Sequence, residues 1–315
     1  WWQRHPRTAL VLAVAVVTGG LGFLVPALQA WPKAWTVTTR DVWSGLIEWI
    51  NVTYFDQLEA FRVWVLEHLL LPVKAFIFAL PWPLAVGALA LAGWRLGGAR
   101  LAALAGGLGI FVAVTGLWEQ AMTTVYLCGV SVVIAMALGV PLGIWAASSE
   151  GAGRAIGAVV DTLQTLPSFV YLIPVVMLFR VGDFSAMVAV VLFALVPAVK
   201  YTAHGLRSVP AELVEAAVVC GATRGQILRK VRLPMAVPMI LLGLNQTILL
   251  ALSMLVITAL VGTRDLGQEV YIALTKADVG RGLVAGLAIA AIAIAADRLI
   301  GAAAKGAKER LEGGA

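Results

Sequence analysis

The chain has 315 residues, of which 61% are hydrophobic and only 13% are charged, and its mean hydropathy is +0.94. These values lie well outside the composition of soluble globular proteins, so that class is excluded. A membrane β-barrel is excluded as well, because barrels have short alternating segments and this sequence has long unbroken apolar runs. The sequence therefore predicts an all-α polytopic membrane protein.

The net charge of +6 and the cysteine and histidine content bear on partners and cofactors. No basic run with interleaved aromatic residues indicates a nucleic-acid site, so we expect no nucleic-acid partner. The two cysteines lie far apart, and the three histidines have no metal-ligand spacing. We therefore expect neither a metal site nor a disulfide.

Apolar runs bounded by charged or turn residues predict about eight transmembrane helices, since one span needs about 20 residues. Their approximate ranges are 8–28, 81–97, 100–117, 120–147, 163–180, 184–203, 235–262 and 281–303. Only a tight turn at Gly97 and Gly98 separates the second from the third. The first resembles a signal peptide, but its length and its lack of a small-residue cleavage pattern favour a retained helix.

Lys and Arg fall mostly on one side of these spans, and cytoplasmic loops carry the excess. Both termini are therefore assigned to the cytoplasmic side, with an N-terminal transmembrane helix in residues 1–30 and a cytoplasmic tail in residues 304–315. Residues 31–80 mix five Trp with acidic residues, and their apolar residues recur at helical spacing. Two interpretations stay open for them: amphipathic helices at the extracytoplasmic membrane surface, or a scaffold packed on the other spans.

Residues 208–234 are less apolar and predict two short helices joined by a turn. The residue types at the four helix ends agree with this: Pro210 for the first helical turn, Gly221 after the first helix, Thr223 with Gln226 as a capping box, and Pro234 as the stop. Small residues on the first helix allow another surface to approach closely, and its acidic residues can pair across a contact. Both a docking element and an ordinary helical hairpin fit these features.

The same stretch resembles the EAA loop of ABC importer permeases. Glu215-Ala216-Ala217, three residues, Gly221, nine residues and then Val231-Arg232-Leu233-Pro234 follow that pattern, with Val231 in place of Ile. The resemblance implies a type I ABC importer-like core over 118–303, preceded by two accessory transmembrane helices (81–117). It also implies that the loop docks on an ATPase subunit through Glu212, Glu215, Ala216, Ala217, Gly221, Ala222, Thr223, Leu233 and Pro234.

Further runs narrow the resemblance to permeases of the glycine betaine/proline uptake type, namely 139–145, 164–174, 245–247, 251–254 and 266–268. Relatives in that branch also carry choline, carnitine or trimethylamine N-oxide. The resemblance implies a location in the bacterial cytoplasmic (inner) membrane, a homodimer with a second permease copy, two ATPase subunits and an extracytoplasmic substrate-binding protein. No phosphate loop of the form Gly-x4-Gly-Lys-Ser/Thr occurs, so ATP and Mg are expected on the ATPase and no catalytic residue is expected here.

Candidates for the translocation path are polar, aromatic and proline residues within or near spans. Pro167 and Pro174 are expected to bend or break the fifth span, and interrupted helices often line pathways. The set is Gln164, Thr165, Pro167, Phe169, Tyr171, Pro174, Asn245, Gln246, Thr247, Ser253 and Met254. A kink filled by packing and ordinary interhelical hydrogen bonds explain the same residues.

Three charged residues near the spans receive simpler roles. Asp161 is expected at the cytoplasmic mouth, paired with Arg207 or Arg224, and Asp297 and Arg298 are interpreted as anchors. No pair of intramembrane carboxylates indicates an ion relay, which disfavours the first alternative, an ion-coupled secondary transporter. The second alternative is a membrane scaffold with no transport role.

Overall fold

The computed structural model describes residues 6–24 and 35–312, and all regular structure within them is helical. Residues 1–5 and 25–30 of the predicted N-terminal helix (1–30), 31–34 of the following segment and 313–315 of the tail lie outside the described residues. The helices are α1 (Pro6–Leu24), α2 (Arg40–Thr53), α3 (Phe55–Val65), α4 (Leu71–Ala79), α5 (Trp82–Val114), α6 (Trp118–Ser148), α7 (Glu150–Thr165), α8 (Ser168–Phe179), α9 (Asp183–Arg207), α10 (Ala211–Val219), α11 (Arg224–Ile227), α12 (Leu233–Thr258), α13 (Leu266–Lys276) and α14 (Val279–Glu312).

The chain divides into two compact units, residues 1–53 and 54–315. In the first, α1 is an apolar helix of 19 residues that begins two residues before the predicted span. Helix α2 is amphipathic, has Asp41 in its first turn and contains no buried residue. The second unit contains all the remaining helices.

Among the described residues, five helices are long and apolar enough to cross a membrane, and a sixth candidate arises if α7 and α8 count as one bent span. The chain is therefore a multi-pass membrane protein, but the predicted count of eight spans is not confirmed. The five are α5, α6, α9, α14 and a continuous run from Arg224 to Val261 that includes α12. The difference arises in α1, which is followed by residues outside the description, and in α5 and the α7–α8 pair.

Helix α5 folds back on itself at Gly97 and Gly98, whose backbone angles are not helical. A Cβ atom added to Gly109 would lie 3.2 Å from the side chain of Val86, whereas 23 residues of straight helix would separate them by about 35 Å. The two limbs coincide with the predicted spans 81–97 and 100–117. Each limb has roughly 15 residues and is about 22 Å long, which is short of the roughly 30 Å hydrocarbon core. That each limb crosses the membrane stays a prediction.

The predicted fifth span, 163–180, is two helices. Helix α7 begins at Glu150, with the Ser149 side chain accepting a hydrogen bond from the amide of Ala152, and its axis meets that of α8 at 99°. Pro167 lies at this bend, as predicted. Pro174 lies inside α8, which continues past it to Phe179, so the helix does not break there, and a bend at Pro174 stays a prediction.

Helix α9 is the most buried of the five candidate spans and packs between α6 and α12. Glycines bring the backbones close on both sides. On the α6 side, a Cβ atom added to Gly143 would lie 2.6 Å from the Cβ atom of Thr202. On the α12 side, one added to Gly243 would lie 2.7 Å from the Cβ atom of Tyr201. These contacts leave no room for side chains at the crossings.

Residues 55–79 form one helical run, in which a π turn (Leu66–Leu70) joins α3 to α4. Val65 and Leu70 are buried in the main apolar core. The ring of Phe61 packs edge-on against that of Phe184 at 6.0 Å. Residues 55–79 thus pack on the core, and both interpretations of residues 31–80 stay open.

Candidate functional site

The loop between α9 and α12 has the local structure that its residue types predict. After α10, Gly221 adopts the left-handed conformation (φ +78°). Its amide donates to the carbonyl of Val218 (2.9 Å), and the amide of Ala222 donates to the carbonyl of Ala217 (3.0 Å), which is a Schellman motif. One boundary differs: Pro210 precedes α10 with extended backbone and does not lie in its first turn.

The capping box at the start of α11 is present in both directions. The amide of Gln226 donates to Oγ1 of Thr223 (3.4 Å), and the amide of Thr223 donates to Oε1 of Gln226 (2.8 Å). The side chain of Ile227 is buried and attaches the loop to the rest of the unit. Together with the Schellman motif, these bonds fix the turn between the two short helices.

Helix α10 has no buried residue. Glu212, Glu215 and Ala216 are exposed, Ala217 is half-buried, and the apolar side chain of Val219 is 87% exposed. A short helix that exposes small and apolar residues between acidic ones presents a surface for another protein.

Pro234 does not end the second helix of the loop. The backbone stays helical from Arg224 through a π turn (Leu228–Arg232) into α12, so this prediction is wrong. A proline ring clashes with the carbonyl four residues back, which here belongs to Lys230 in the wider π turn. Wider turns of this kind relieve such a clash, and the loop therefore joins α12 without a break.

At the bend between α7 and α8, the structure places together three polar side chains. Nζ of Lys200 lies 2.7 Å from Oδ1 of Asp161 and donates to Oε1 of Gln164 at 2.5 Å. The predicted pairing of Asp161 with Arg207 or Arg224 is wrong. Arg207 instead donates to the carbonyl of Ala146 at the end of α6 (2.7 Å).

Sequence reasoning used Lys200 only to orient the chain. The sequence does single out Lys200, because no other Lys, Arg, Asp or Glu lies between Asp183 and Arg207. A lone charge inside an apolar helix is a functional-site candidate.

The other candidates near the bend differ in exposure. Thr165 is exposed and its hydroxyl donates to the carbonyl of Thr162 (3.0 Å). The Phe169 ring is 56% exposed. Tyr171 is buried, and its hydroxyl donates to the carbonyl of Leu163 across the bend. Tyr171 therefore stabilises the bend from inside, whereas Thr165 and Phe169 are accessible to a passing molecule.

The candidates on α12 fall mainly on its buried side. Asn245 donates from Nδ2 to Oδ1 of Asp297 on α14 (2.7 Å), so Asp297, interpreted from sequence as an anchor, joins two spans. Thr247 and Met254 are fully buried. The remaining two are Gln246, which is half-buried, and Ser253, which is exposed and donates to the carbonyl of Leu249 (2.9 Å). That any of them lines a path stays a prediction.

Between α12 and α14, the chain forms a buried polar turn outside the spans. Oδ1 of Asp265 accepts a hydrogen bond from the amide of Gln268 at the start of α13 (3.0 Å). Burial raises the pKa of Asp265 to about 6, against a smaller lowering by that amide. Nearby, Nε of Arg281 donates to Oε2 of Glu269 (2.7 Å). In the described part of the chain, no three His, Cys, Asp or Glu side chains form a metal-ligand cluster.

Residues 139–309 match the family model described as "Binding-protein-dependent transport system inner membrane component". The matched range includes the loop, the bend, the helices α9 and α12 and α14 up to residue 309. The chain belongs to this family. Residues before 139, including α5 and the helical run 55–79, lie outside the match.

Curated relatives provide further comparisons. The trimethylamine N-oxide transport system permease protein TmoV of Pelagibacter ubique is 41% identical over 268 residues, which are 84% of this chain and 37% of that protein. The glycine betaine/proline betaine transport system permease protein ProW of Escherichia coli is 36% identical over 276 residues, 87% of this chain and 78% of ProW. The chain thus spans less than half the length of the TmoV proteins it matches.

The family fold is supported by solved structures of the MetNI methionine ABC transporter in inward-facing conformations. One aligns with a TM-score of 0.54 at 22% identity and covers 58% of this chain and 94% of the solved one. At this identity the likeness concerns the fold alone. It agrees with the ABC importer-like core predicted from the sequence.

Proposed function

We propose that this chain is the permease subunit of an ATP-driven importer that moves a small methylated amine into the cell by alternating access. The proposal rests on the α10–α11 loop, in which α10 is exposed and the turn is fixed by a Schellman motif and a capping box. This loop occurs in a chain of the binding-protein-dependent transport family. The relatives named for glycine betaine, proline betaine, carnitine and trimethylamine N-oxide support this substrate class. The permease itself catalyses no reaction, and a separate subunit binds ATP and Mg and hydrolyses ATP.

The α10 helix provides the contact with that ATPase. Its small residues Ala216 and Ala217 permit close approach, while Glu212 and Glu215 are free to pair with basic side chains of the partner. Because α11 continues into α12, a displacement of the docked loop moves this span. Two permease copies around a central path, two ATPase subunits and an extracytoplasmic binding protein complete the assembly. Both termini and the loop face the cytoplasm across the inner membrane.

Reconstitution tests the proposal. The permease is co-purified with its ATPase, inserted into proteoliposomes and supplied with its binding protein, and both ATP hydrolysis and uptake of radiolabelled glycine betaine or trimethylamine N-oxide are measured. We expect substrate-loaded binding protein to stimulate hydrolysis and uptake together. ATP-independent uptake driven by an ion gradient, or no stimulation with any of these amines, would contradict the proposal.

A substitution on α10 tests the docking surface. Glu215 is exposed, so Glu215→Trp leaves the permease folded and is expected to abolish ATPase association and uptake. The matched control is Glu150→Trp, at an exposed position in the first turn of α7, and it should preserve both. Equal behaviour of the two variants would refute the docking assignment.

A further inference from the structure

Two charged residues, each isolated in its stretch of the sequence, form an ion pair with each other. Asp161 is the only Asp, Glu, Lys or Arg between Arg154 and Arg180, and Lys200 is the only one between Asp183 and Arg207. Their side chains form an ion pair with Nζ of Lys200 2.7 Å from Oδ1 of Asp161. Lys200 lies inside the apolar helix α9, where a charge is costly and occurs mainly for a function.

This pair is exposed at the surface of the chain, next to the bend between α7 and α8. Asp161 and Gln164 are in the last turns of α7, directly before the 99° bend. The side chains of Lys200 and Asp161 are 42% and 66% exposed. Interrupted helices are positions at which transporters hold their substrates, and the exposed Phe169 ring follows the bend on α8.

The pair is not needed to hold α7 on α9. Val160, next to Asp161, is buried against Val196 and Val199 of α9, so apolar packing joins the helices at this level. Exposed ion pairs contribute little to stability. Opening the ion pair therefore leaves the contact between α7 and α9 in place.

We propose that Asp161, Lys200 and Gln164 form a substrate-contacting subsite that selects zwitterionic or dipolar methylated amines. The anionic oxygen of the substrate displaces Asp161 and binds the Lys200 ammonium, with the Gln164 amide as a second donor. The quaternary ammonium, which has no N–H group, is attracted to the released Asp161 carboxylate by charge alone. The inference rests on the proposed function and adds the residues that contact the substrate.

Charge balance explains why such a pair suits this substrate class. The empty subsite is neutral because Lys200 and Asp161 compensate each other. A bound zwitterion keeps it neutral and leaves neither charge unpaired, whereas a net cation or anion would leave one of the two charges without a partner. The subsite therefore favours molecules that carry both charges.

The complete complex in proteoliposomes, with ATPase and binding protein, tests the subsite. We expect Lys200→Gln to reduce uptake of radiolabelled glycine betaine at subsaturating concentration about tenfold or more, the loss of one charged hydrogen bond. ATP hydrolysis stimulated by substrate-loaded binding protein should persist. Lys200→Arg, which retains the charge, should retain most of the uptake, and Lys305→Gln on α14 is the matched control.

The double variant Asp161→Lys with Lys200→Asp distinguishes contact with the substrate from a structural role of the ion pair. It preserves an ion pair but reverses its direction, so the subsite predicts that uptake stays low in a complex with the thermal stability of the wild type. Uptake restored to the wild-type rate would overturn the inference, as would unchanged uptake in Lys200→Gln. If wild-type complex shows no stimulated hydrolysis or uptake, the proposed function fails first, and that result is distinct from a defect confined to the variants.

Discussion

Replacing Gly221 by alanine tests whether the turn between α10 and α11 controls the proposed coupling. Gly221 has φ of +78°, and an added Cβ atom would meet no atom within 4 Å, so the cost is conformational and not steric. An L-residue with a side chain pays about 1–2 kcal/mol in the left-handed region. This corresponds to a factor of about 5–30 in the ratio of ordered to disordered turn.

Hydrogen exchange reports this ratio directly, because the amide of Ala222 is held by the carbonyl of Ala217 (3.0 Å). We expect that amide to exchange about 5–30-fold faster in Gly221→Ala, together with weaker ATPase association. The control is Gly225→Ala in α11, where φ is not positive and an added Cβ atom is equally free of contacts; alanine is the better helix former there. Equal exchange rates in the two variants would refute the reasoning.

Two further predictions concern packing and pH. Gly143→Ala should lower the free energy of unfolding by about 1–3 kcal/mol, because the new Cβ atom would lie 2.8 Å from the backbone carbonyl of Val199. Thermal unfolding measures this loss, with Gly129→Ala, at an open position on α6, as the control. Equal unfolding midpoints of the two variants would contradict the prediction. Burial raises the pKa of Asp265 to about 6, above its value of about 4 in the unfolded chain. The native state thus binds the proton more tightly, so the free energy of unfolding falls as the pH rises from about 4 to about 6. Asp265→Asn should remove this pH dependence, which denaturation at several pH values measures. An unchanged pH dependence in the variant would contradict the prediction.

Local residue chemistry was sufficient to predict the loop between α9 and α12. The left-handed turn requires Gly221, and the capping box requires Thr223 and Gln226 at a fixed spacing, so sequence alone specifies both. The α5 hairpin was predictable for the same reason, because Gly97 and Gly98 punctuate an apolar run. These features depend on residues within a few positions of each other.

Features that depend on distant contacts were not predictable. The rule that proline ends a helix predicts that the second helix stops at Pro234. The π turn before Pro234 depends on how α11 and α12 pack, and the rule takes no account of packing. Pro167 and Pro174 look alike in sequence, yet only Pro167 lies at the bend, where Tyr171 bonds back to Leu163. The pairing of Asp161 with Lys200 depends on how α7 packs on α9, so it was missed.

The structure connects the two proposed sites through α9 and α12. The loop continues into α12 without a break, and α12 is held against α9 by a contact with no spare volume, where Gly243 meets Tyr201. A close-packed crossing of this kind transmits displacement because it cannot compress. Lys200 precedes Tyr201 and holds Asp161 at the bend. In the proposed importer, closure of the ATPases on α10 would therefore move the residue that holds the anionic end of the substrate, and uptake and hydrolysis would be coupled through one pair of helices.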